Sequence, residues 1–151
     1  MPTISVTSYH SSEERHHAYV EWMRHGDEFL RACDVLGEAQ LYRQSAIMMQ
    51  LALQHYLKAV LAHEVGKVSF SHQEDRQIFK SKLVNEGKFS SIYVDTMKVI
   101  LEWTNDKILA FTQEQEGIEM LPFFAGFIRD FGQSVKEYKE GTHGDPAHMS
   151  K

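Results

Sequence analysis

Several features that would assign a class of protein are scarce in this sequence of 151 residues. It has one cysteine, Cys33, which excludes an intrachain disulfide and removes any requirement for an oxidising compartment. No apolar run approaches the ~18 residues that a membrane span needs, and the first residues lack the basic and apolar stretches of a signal peptide. The sequence therefore predicts a cytoplasmic protein without membrane contact.

An excess of positive charge is also lacking. The formal net charge is −5 and the isoelectric point is about 6.0, so no overall basic field attracts nucleic acid or anionic lipid. The Gly-x-Ser-x-Gly, P-loop and Gly-x-Gly-x-x-Gly motifs are absent, which removes the common hydrolase and nucleotide-loop classes. The composition, with 42% hydrophobic and 25% charged residues, is that of an ordinary globular protein.

Apolar residues recur at spacings of three and four along most of the chain, which is the pattern of amphipathic helices. The predicted helices cover residues 13–38, 43–64, 74–85, 90–111 and 121–139. No stretch alternates with period two between turn residues, so strands are not predicted. Because short loops between long helices favour antiparallel neighbours, the sequence predicts an all-α fold, an antiparallel bundle of four long helices plus one short helix.

The chain is predicted to contain one domain. Residues 13–140 form the bundle, which a flexible N-terminal arm at 1–12 precedes and a disordered tail at 141–151 follows. The polar connection at 67–75 is either a simple loop or a lid. The Gln/Glu-rich stretch at 112–117 is predicted to be a loop.

Single residues refine these helices. Ser11 or Ser12 is expected to cap the first helix, because a serine hydroxyl accepts from the free amides of the first turn. Gly26 predicts close approach by a neighbouring helix, with a break in the first helix as the alternative. The second helix is expected to be the most buried, and Pro122 is expected in the first turn of the last helix, where its missing N–H has no cost.

Two helices carry a resemblance to a known family. The first has a tryptophan followed by small and apolar residues in helical register: Trp22, Gly26, Leu30, Ala32 and Leu36. The second has a tyrosine, small residues and a Gln-x-Ala stretch before Leu-Lys-Ala-x-Leu: Tyr42, Ser45, Ala46, Gln50, Ala52 and residues 57–61. A Ser-His step, Ser71-His72, follows the second helix. In this order and spacing, these residues resemble the HEPN family of small bacterial, archaeal and some eukaryotic helical domains.

Departures from the family pattern bear on activity. Gln54 stands where the family commonly has Glu, and Gln73-Glu74 replaces the Asp-Leu that often follows the His step. Ribonuclease members carry an Arg followed four to six residues later by His, whereas Ser134 and Val135 occupy this spacing after Arg129 and no other arginine has a His there. That cleavage needs a guanidinium for the phosphate and an imidazole for the proton. The sequence therefore predicts a non-catalytic domain with no catalytic residues.

Four residues are candidate ligand contacts. Lys58 either contacts a phosphate or nucleotide in a groove between helices, or packs its stem while its ammonium reaches water. His72 is either a ligand contact or the cap of the short third helix. Gln50 and Gln54 lie one turn apart on one face of the second helix, and they bridge either to a neighbouring helix or to a bound ligand.

Neither a metal nor a cofactor is predicted. His16 and His17 are adjacent and therefore diverge around a helix, and His55 and His63 are two turns apart rather than one. A di-iron bundle needs Glu-x-x-His on each of two helices, whereas only the first predicted helix carries it, at Glu13–His16 and Glu14–His17. Cys33 lies on the apolar stripe of the first helix and is expected to be a buried structural thiol rather than a nucleophile.

The leading hypothesis is a non-catalytic binding module that forms a homodimer and binds a partner protein or a nucleotide-like ligand. Family members often self-associate, and the resemblance implies a nucleotidyltransferase partner or a role in toxin–antitoxin, defence or stress systems. The phenylalanines of the last helix are core residues or, in part, a dimer seam. Two alternatives remain open: an RNA-processing enzyme or toxin of this fold with a displaced active site, and a purely structural assembly bundle.

Overall fold

The computed structural model describes residues 6–69 and 71–139, so the predicted tail at 141–151 lies outside the described residues. Its α-helices are α1 (Ser12–Glu38), α2 (Tyr42–Glu64), α3 (His72–Phe79), α4 (Ile92–Leu101), α5 (Asn105–Thr112) and α6 (Gln115–Lys139). A π-helical turn, Lys80–Val84, continues α3, and the strands of the described part are β1 (Val6–Ser8) and β2 (Lys67–Ser69). No helix in these ranges is long and apolar enough to cross a membrane. The predicted all-α fold is confirmed.

The helices α1 and α2 form the main pair of the bundle. Ser11 caps α1, because its Oγ accepts from the backbone N–H of Glu14 at 3.0 Å. A short turn at 39–41, with Gln40 in the left-handed region at φ 63°, sends α2 back along α1. α2 is the most buried helix, as predicted, and it contacts α1, α3, α4, α5 and α6.

The side chain of Tyr56 on α2 passes between α1 and α6. A Cβ added to Gly26 would lie 2.6 Å from the Tyr56 ring, and one added to Gly132 would lie 2.7 Å from it. The Tyr56 hydroxyl donates to Asp27 Oδ1 at 2.6 Å. Because α1 is continuous through Gly26, the predicted close approach is confirmed and a break in the helix is excluded.

The two strands contradict the prediction that the chain has none. β1 and β2 are antiparallel, with Thr7 opposite Val68, and they hold residues 6–8 of the expected arm against the connection after α2. Three residues in each strand are too few to show a period-two pattern. The pairing also joins segments that are far apart in the sequence, which a reading of local patterns does not detect.

Two helix boundaries also differ from the prediction. The predicted helix at 90–111 is in fact two helices, α4 and α5. Helical geometry ends after α4, and Thr104 caps α5 by accepting from Lys107 N at 3.1 Å. α6 begins within the stretch predicted to be a loop, so Pro122 lies inside this helix and not in its first turn. Burial of Leu121 and Ala125 on either side offsets the backbone hydrogen bond that proline cannot make.

Candidate functional site

The ammonium of Lys58 is enclosed in the protein. Its Nζ donates to Asp75 Oδ2 at 2.6 Å and to the carbonyl oxygen of Ser69 at 2.5 Å, and only 9% of the side chain is exposed. The interpretation of Lys58 as a lysine whose ammonium reaches water is therefore wrong. Two strong acceptors already hold the ammonium, so its charge is balanced inside the chain.

Asp75 joins the start of α3 to β2 and α2. It is not among the four residues predicted from the sequence. Its Oδ1 accepts from Ser69 N at 2.9 Å, and the Ser69 hydroxyl donates to Glu74 at 3.2 Å. Asp75 is fully buried. One signal was available: a lysine on the most buried helix needs a buried acid, and Glu74 and Asp75 are the acids of the following connection.

His72 lies beside this ion pair at the first position of α3. Its Nδ1 is buried and has no hydrogen-bond partner among the described residues. Burial lowers the pKa of His72, and the nearby Lys58 charge lowers that pKa further. The interpretation of His72 as a helix cap is wrong, because Ser71 caps α3 by accepting from Glu74 N at 3.2 Å.

The two glutamines do not join Lys58 and His72. Gln50 Nε2 donates to the carbonyl oxygens of Ile100 at 3.0 Å and Trp103 at 2.9 Å, which ties α2 to the end of α4. The bridge to a neighbouring helix is therefore the correct interpretation of Gln50. Gln54 is half-buried one turn further along α2. The structure thus brings together two of the four candidate residues.

Cys33 and His55 both make contacts within the helical bundle. Cys33 is buried beside Ser45, and burial raises the pKa of its thiol, as expected of a structural cysteine. The ring of His55 lies 5.3 Å from that of Trp22 and 4.9 Å from that of Phe29, and burial lowers the pKa of His55. In the described ranges, no group of three or more His, Cys, Asp or Glu side chains is placed to hold a metal ion.

Arginine side chains make contacts within the chain. Arg129 makes two hydrogen bonds to the Asp34 carboxylate, at 2.8 and 2.9 Å. Arg76 is buried, and its Nε donates to Gln73 Oε1 at 3.0 Å. Arg76 follows His72 by one turn of α3, which places a guanidinium and an imidazole on one helix face.

A mainly apolar opening with a volume of about 670 Å³ lies between α4, α5 and α6. We call it the Trp103 groove. The Trp103 ring lines this groove, and its centre lies 4.9 Å from that of the Phe111 ring and 5.2 Å from that of the Phe124 ring. The remaining lining residues include apolar Val99, Ala110 and Met120 and charged Glu102, Lys107 and Glu114.

Exposed apolar side chains surround the Trp103 groove. Phe123 is 58% exposed beside Phe124, and Val99 and Met120 are also exposed. Deeper in the bundle, Phe131 is fully buried. Some phenylalanines of α6 are therefore core residues and others lie at the surface. The apolar pattern of the sequence does not distinguish the two groups.

The comparisons with known proteins agree with this helical architecture. A family model described as the HEPN domain matches residues 19–106, which run from within α1 to the start of α5 and make up more than half of the chain. No curated protein and no solved structure gave a match to the chain. On the strength of the family match, the chain belongs to the HEPN domain family.

Proposed function

We propose that this chain is a non-catalytic binding module that forms a homodimer through the Trp103 groove. The observation that carries the proposal is the apolar surface of this groove, which Trp103 lines between α4 and α5 and which Met120 and Phe124 line on α6. The exposed Phe123 ring packs against Phe124 and extends this surface. A contiguous apolar patch with a polar rim is typical of a protein–protein interface. HEPN domains often dimerise, which supports the same assignment.

A second copy of the chain suits the groove because the rim carries both signs of charge. Glu102 and Glu114 stand on the rim together with Lys107. In a two-fold interface each subunit presents the same patch to the other, so Lys107 of each copy can pair with a rim carboxylate of its partner. Phe123 then supplies an aromatic side chain of the kind that dominates interface energies.

The test is the molar mass in solution, measured by light scattering coupled to size-exclusion chromatography. We expect twice the 17.5 kDa of one chain. Phe123→Glu should weaken the dimer about 30-fold or more, because it places a charge on the exposed apolar surface beside the groove residue Phe124. Val35→Glu is the matched control, since Val35 is 60% exposed on α1 and does not line the groove.

If Val35→Glu weakens the dimer as much as Phe123→Glu does, the result argues against this interface. A single-chain mass at all concentrations would remove the homodimer from the proposal. In that case the groove would remain a candidate surface for a different protein. Co-purification with a nucleotidyltransferase, the partner that the family implies, would then be the measurement to make, with Phe123→Glu as the variant expected to lose it.

RNA processing is the second candidate function, and one observation favours it. His72 and Arg76 lie one turn apart on α3, and His72 Nδ1 has no partner among the described residues. Both side chains are largely enclosed, which favours the binding module. Incubation with RNA decides between the two functions: cleavage by the wild type that His72→Gln abolishes would replace the binding module with an enzyme.

A further inference from the structure

We propose that a second cleft, beside the first half of α1, binds a small organic cation. This cleft has a volume of about 420 Å³ and lies between α1 and Tyr9, the residue that follows β1. We call it the Tyr9 cleft. It shares no lining residue with the Trp103 groove, so this inference goes beyond the proposed dimer and can fail independently of it.

Two aromatic side chains of the Tyr9 cleft are held in place by hydrogen bonds. Tyr9 N donates to the Gly66 carbonyl at 2.6 Å, and the Tyr9 carbonyl accepts from Arg15 Nε at 3.2 Å. Trp22 Nε1 donates to the Tyr9 hydroxyl at 3.3 Å. These bonds fix the two rings relative to each other, so a ligand that contacts them does not have to order them first.

The Trp22 ring already has one cation near it. The Lys58 ammonium lies 5.9 Å from the centre of the Trp22 ring, a distance at which the electron-rich face of an indole attracts a positive charge. Asp75 balances the charge of Lys58. The ring pair of Tyr9 and Trp22 is therefore a surface of the kind that recognises ammonium and quaternary ammonium groups.

One lining residue of the cleft has a small side chain. Ala18 lies on α1 one turn before Trp22 and is itself buried. His17 and His25 line the cleft on the same helix, and the His25 ring packs against that of His55 at 5.9 Å. The lining is thus mainly apolar and aromatic, which suits the carbon body of an organic ligand.

Two carboxylates favour positive charge in the cleft, and Arg24 already pairs with one of them, Glu21, at 2.5 Å. Glu14 and Glu21 lie two turns apart on α1, and both line the cleft. A hydrogen bond from Arg24 lowers the pKa of Glu21, so this side chain is ionised at neutral pH. Arg24 itself does not line the cleft.

The carboxylates and imidazoles of the Tyr9 cleft do not converge on one point. Within the described part of the chain, no three such groups are close enough to share a metal ion. Charges that are spread across a cleft of this size match a ligand with a single diffuse positive charge on an apolar body. A quaternary or methylated ammonium compound has this chemistry.

The first experiment titrates the full chain carrying Trp103→Phe, so that Trp22 is the tryptophan whose emission is followed. Choline is the probe, and 3,3-dimethyl-1-butanol, which has the same shape without the charge, is its neutral counterpart. We expect a saturable change in emission with choline and at least about tenfold weaker binding of the alcohol. Equal binding of the two compounds, or no saturable response to choline, would overturn the proposal.

The second experiment tests the carboxylates. The double variant Glu14→Gln/Glu21→Gln should weaken choline binding about tenfold at fixed ionic strength, and circular dichroism confirms that it remains folded. The matched control is Glu13→Gln/Glu28→Gln, which makes the same change of net charge on α1 outside the cleft. An equal loss in both double variants would reduce the effect to general electrostatics and contradict a specific site.

Discussion

The Lys58 ammonium and the Asp75 carboxylate lie 2.6 Å apart inside the protein, and their contact joins the C-terminal half of α2 to the first turn of α3. The same carboxylate accepts from the backbone of β2. The segment after α2 was expected to be either a loop or a lid. In the structure, Ser69 and Asp75 of this connection accept hydrogen bonds from Lys58 on α2.

Removing one member of this ion pair should destabilise the protein strongly. Lys58→Met leaves the Asp75 carboxylate buried without its cation, which costs about 3–5 kcal/mol. Arg129→Met is the matched control: it breaks a pair with Asp34 that is about half exposed on both sides, and such a pair contributes about 0–1 kcal/mol. Urea denaturation measures both. Similar losses in the two variants would show that Asp75 is not truly enclosed.

Adding a methyl group where Tyr56 crosses between helices should also destabilise the fold. Glycine to alanine inside a helix normally stabilises by about 0.5–1 kcal/mol. At Gly26 and Gly132 the added Cβ would lie under 3 Å from the Tyr56 ring, so overpacking should reverse the sign and cost about 1–3 kcal/mol.

Gly126 provides the control on the same helix as Gly132. A Cβ added to Gly126 meets no atom within 4 Å, so Gly126→Ala should stabilise the protein by up to about 1 kcal/mol. Thermal unfolding of the three alanine variants tests the pattern. A stabilised Gly26→Ala or Gly132→Ala variant would contradict the observed helix spacing.

Stability should fall as the solution becomes acidic, and His72 should contribute to the fall. Burial lowers the pKa values of His55 and His72 in the folded state, whereas an unfolded histidine titrates near about 6.5. Below that pH the unfolded chain binds more protons, so the free energy of unfolding rises with pH. The histidine contribution is present above about pH 6.5 and is lost as pH falls through the lowered folded pKa values.

Urea denaturation between about pH 7.5 and pH 5 measures this dependence. His72→Gln should lose less stability on acidification than the wild type, because it removes one of the two half-buried imidazoles whose pKa is lowered. His10→Gln, at an exposed position before α1, is the comparison. The same loss on acidification in His72→Gln and in the wild type would show that His72 does not contribute.

The two glutamines of α2 should differ in their effect on stability. Gln50→Leu removes the side-chain donor of the Ile100 and Trp103 carbonyl oxygens. The Ile100 oxygen still accepts from Trp103 N at 3.2 Å, so the cost of about 1–3 kcal/mol for an unsatisfied polar group applies to the Trp103 oxygen. Gln54→Leu removes neither bond and should cost less. Chemical denaturation of both variants gives the comparison, and equal losses would assign no special role to Gln50.

The parts of the fold that depend on one helix face could be predicted from the sequence. The apolar stripes of α1 and α2 specify which faces pack, and Gly26 indicated where another side chain crosses. The β1–β2 pair could not be predicted, because α1 and α2 separate Thr7 from Val68 in the sequence and only the tertiary structure brings the two residues together. The break between α4 and α5 accepts hydrogen bonds from Gln50 on another helix, a contact that the local sequence does not show.

The candidate site was predictable to a smaller extent. Lys58 and His72 were selected as separate candidate ligand contacts, and the structure places them near each other. The acid that balances Lys58 lies on α3 and becomes a partner only through tertiary structure. The Trp103 groove collects residues from three helices. A single helical stripe shows that Phe123 and Phe131 are apolar, but it does not show which of them is covered.

The most direct test of the proposed function asks whether the Trp103 groove is covered when two chains associate. Acrylamide quenching of Trp103 emission, in a chain carrying Trp22→Phe, can be followed across a dilution series whose molar mass is known from light scattering. We predict weak quenching in the dimer and stronger quenching in the monomer. Equal quenching in both states would place the interface elsewhere and contradict the central claim.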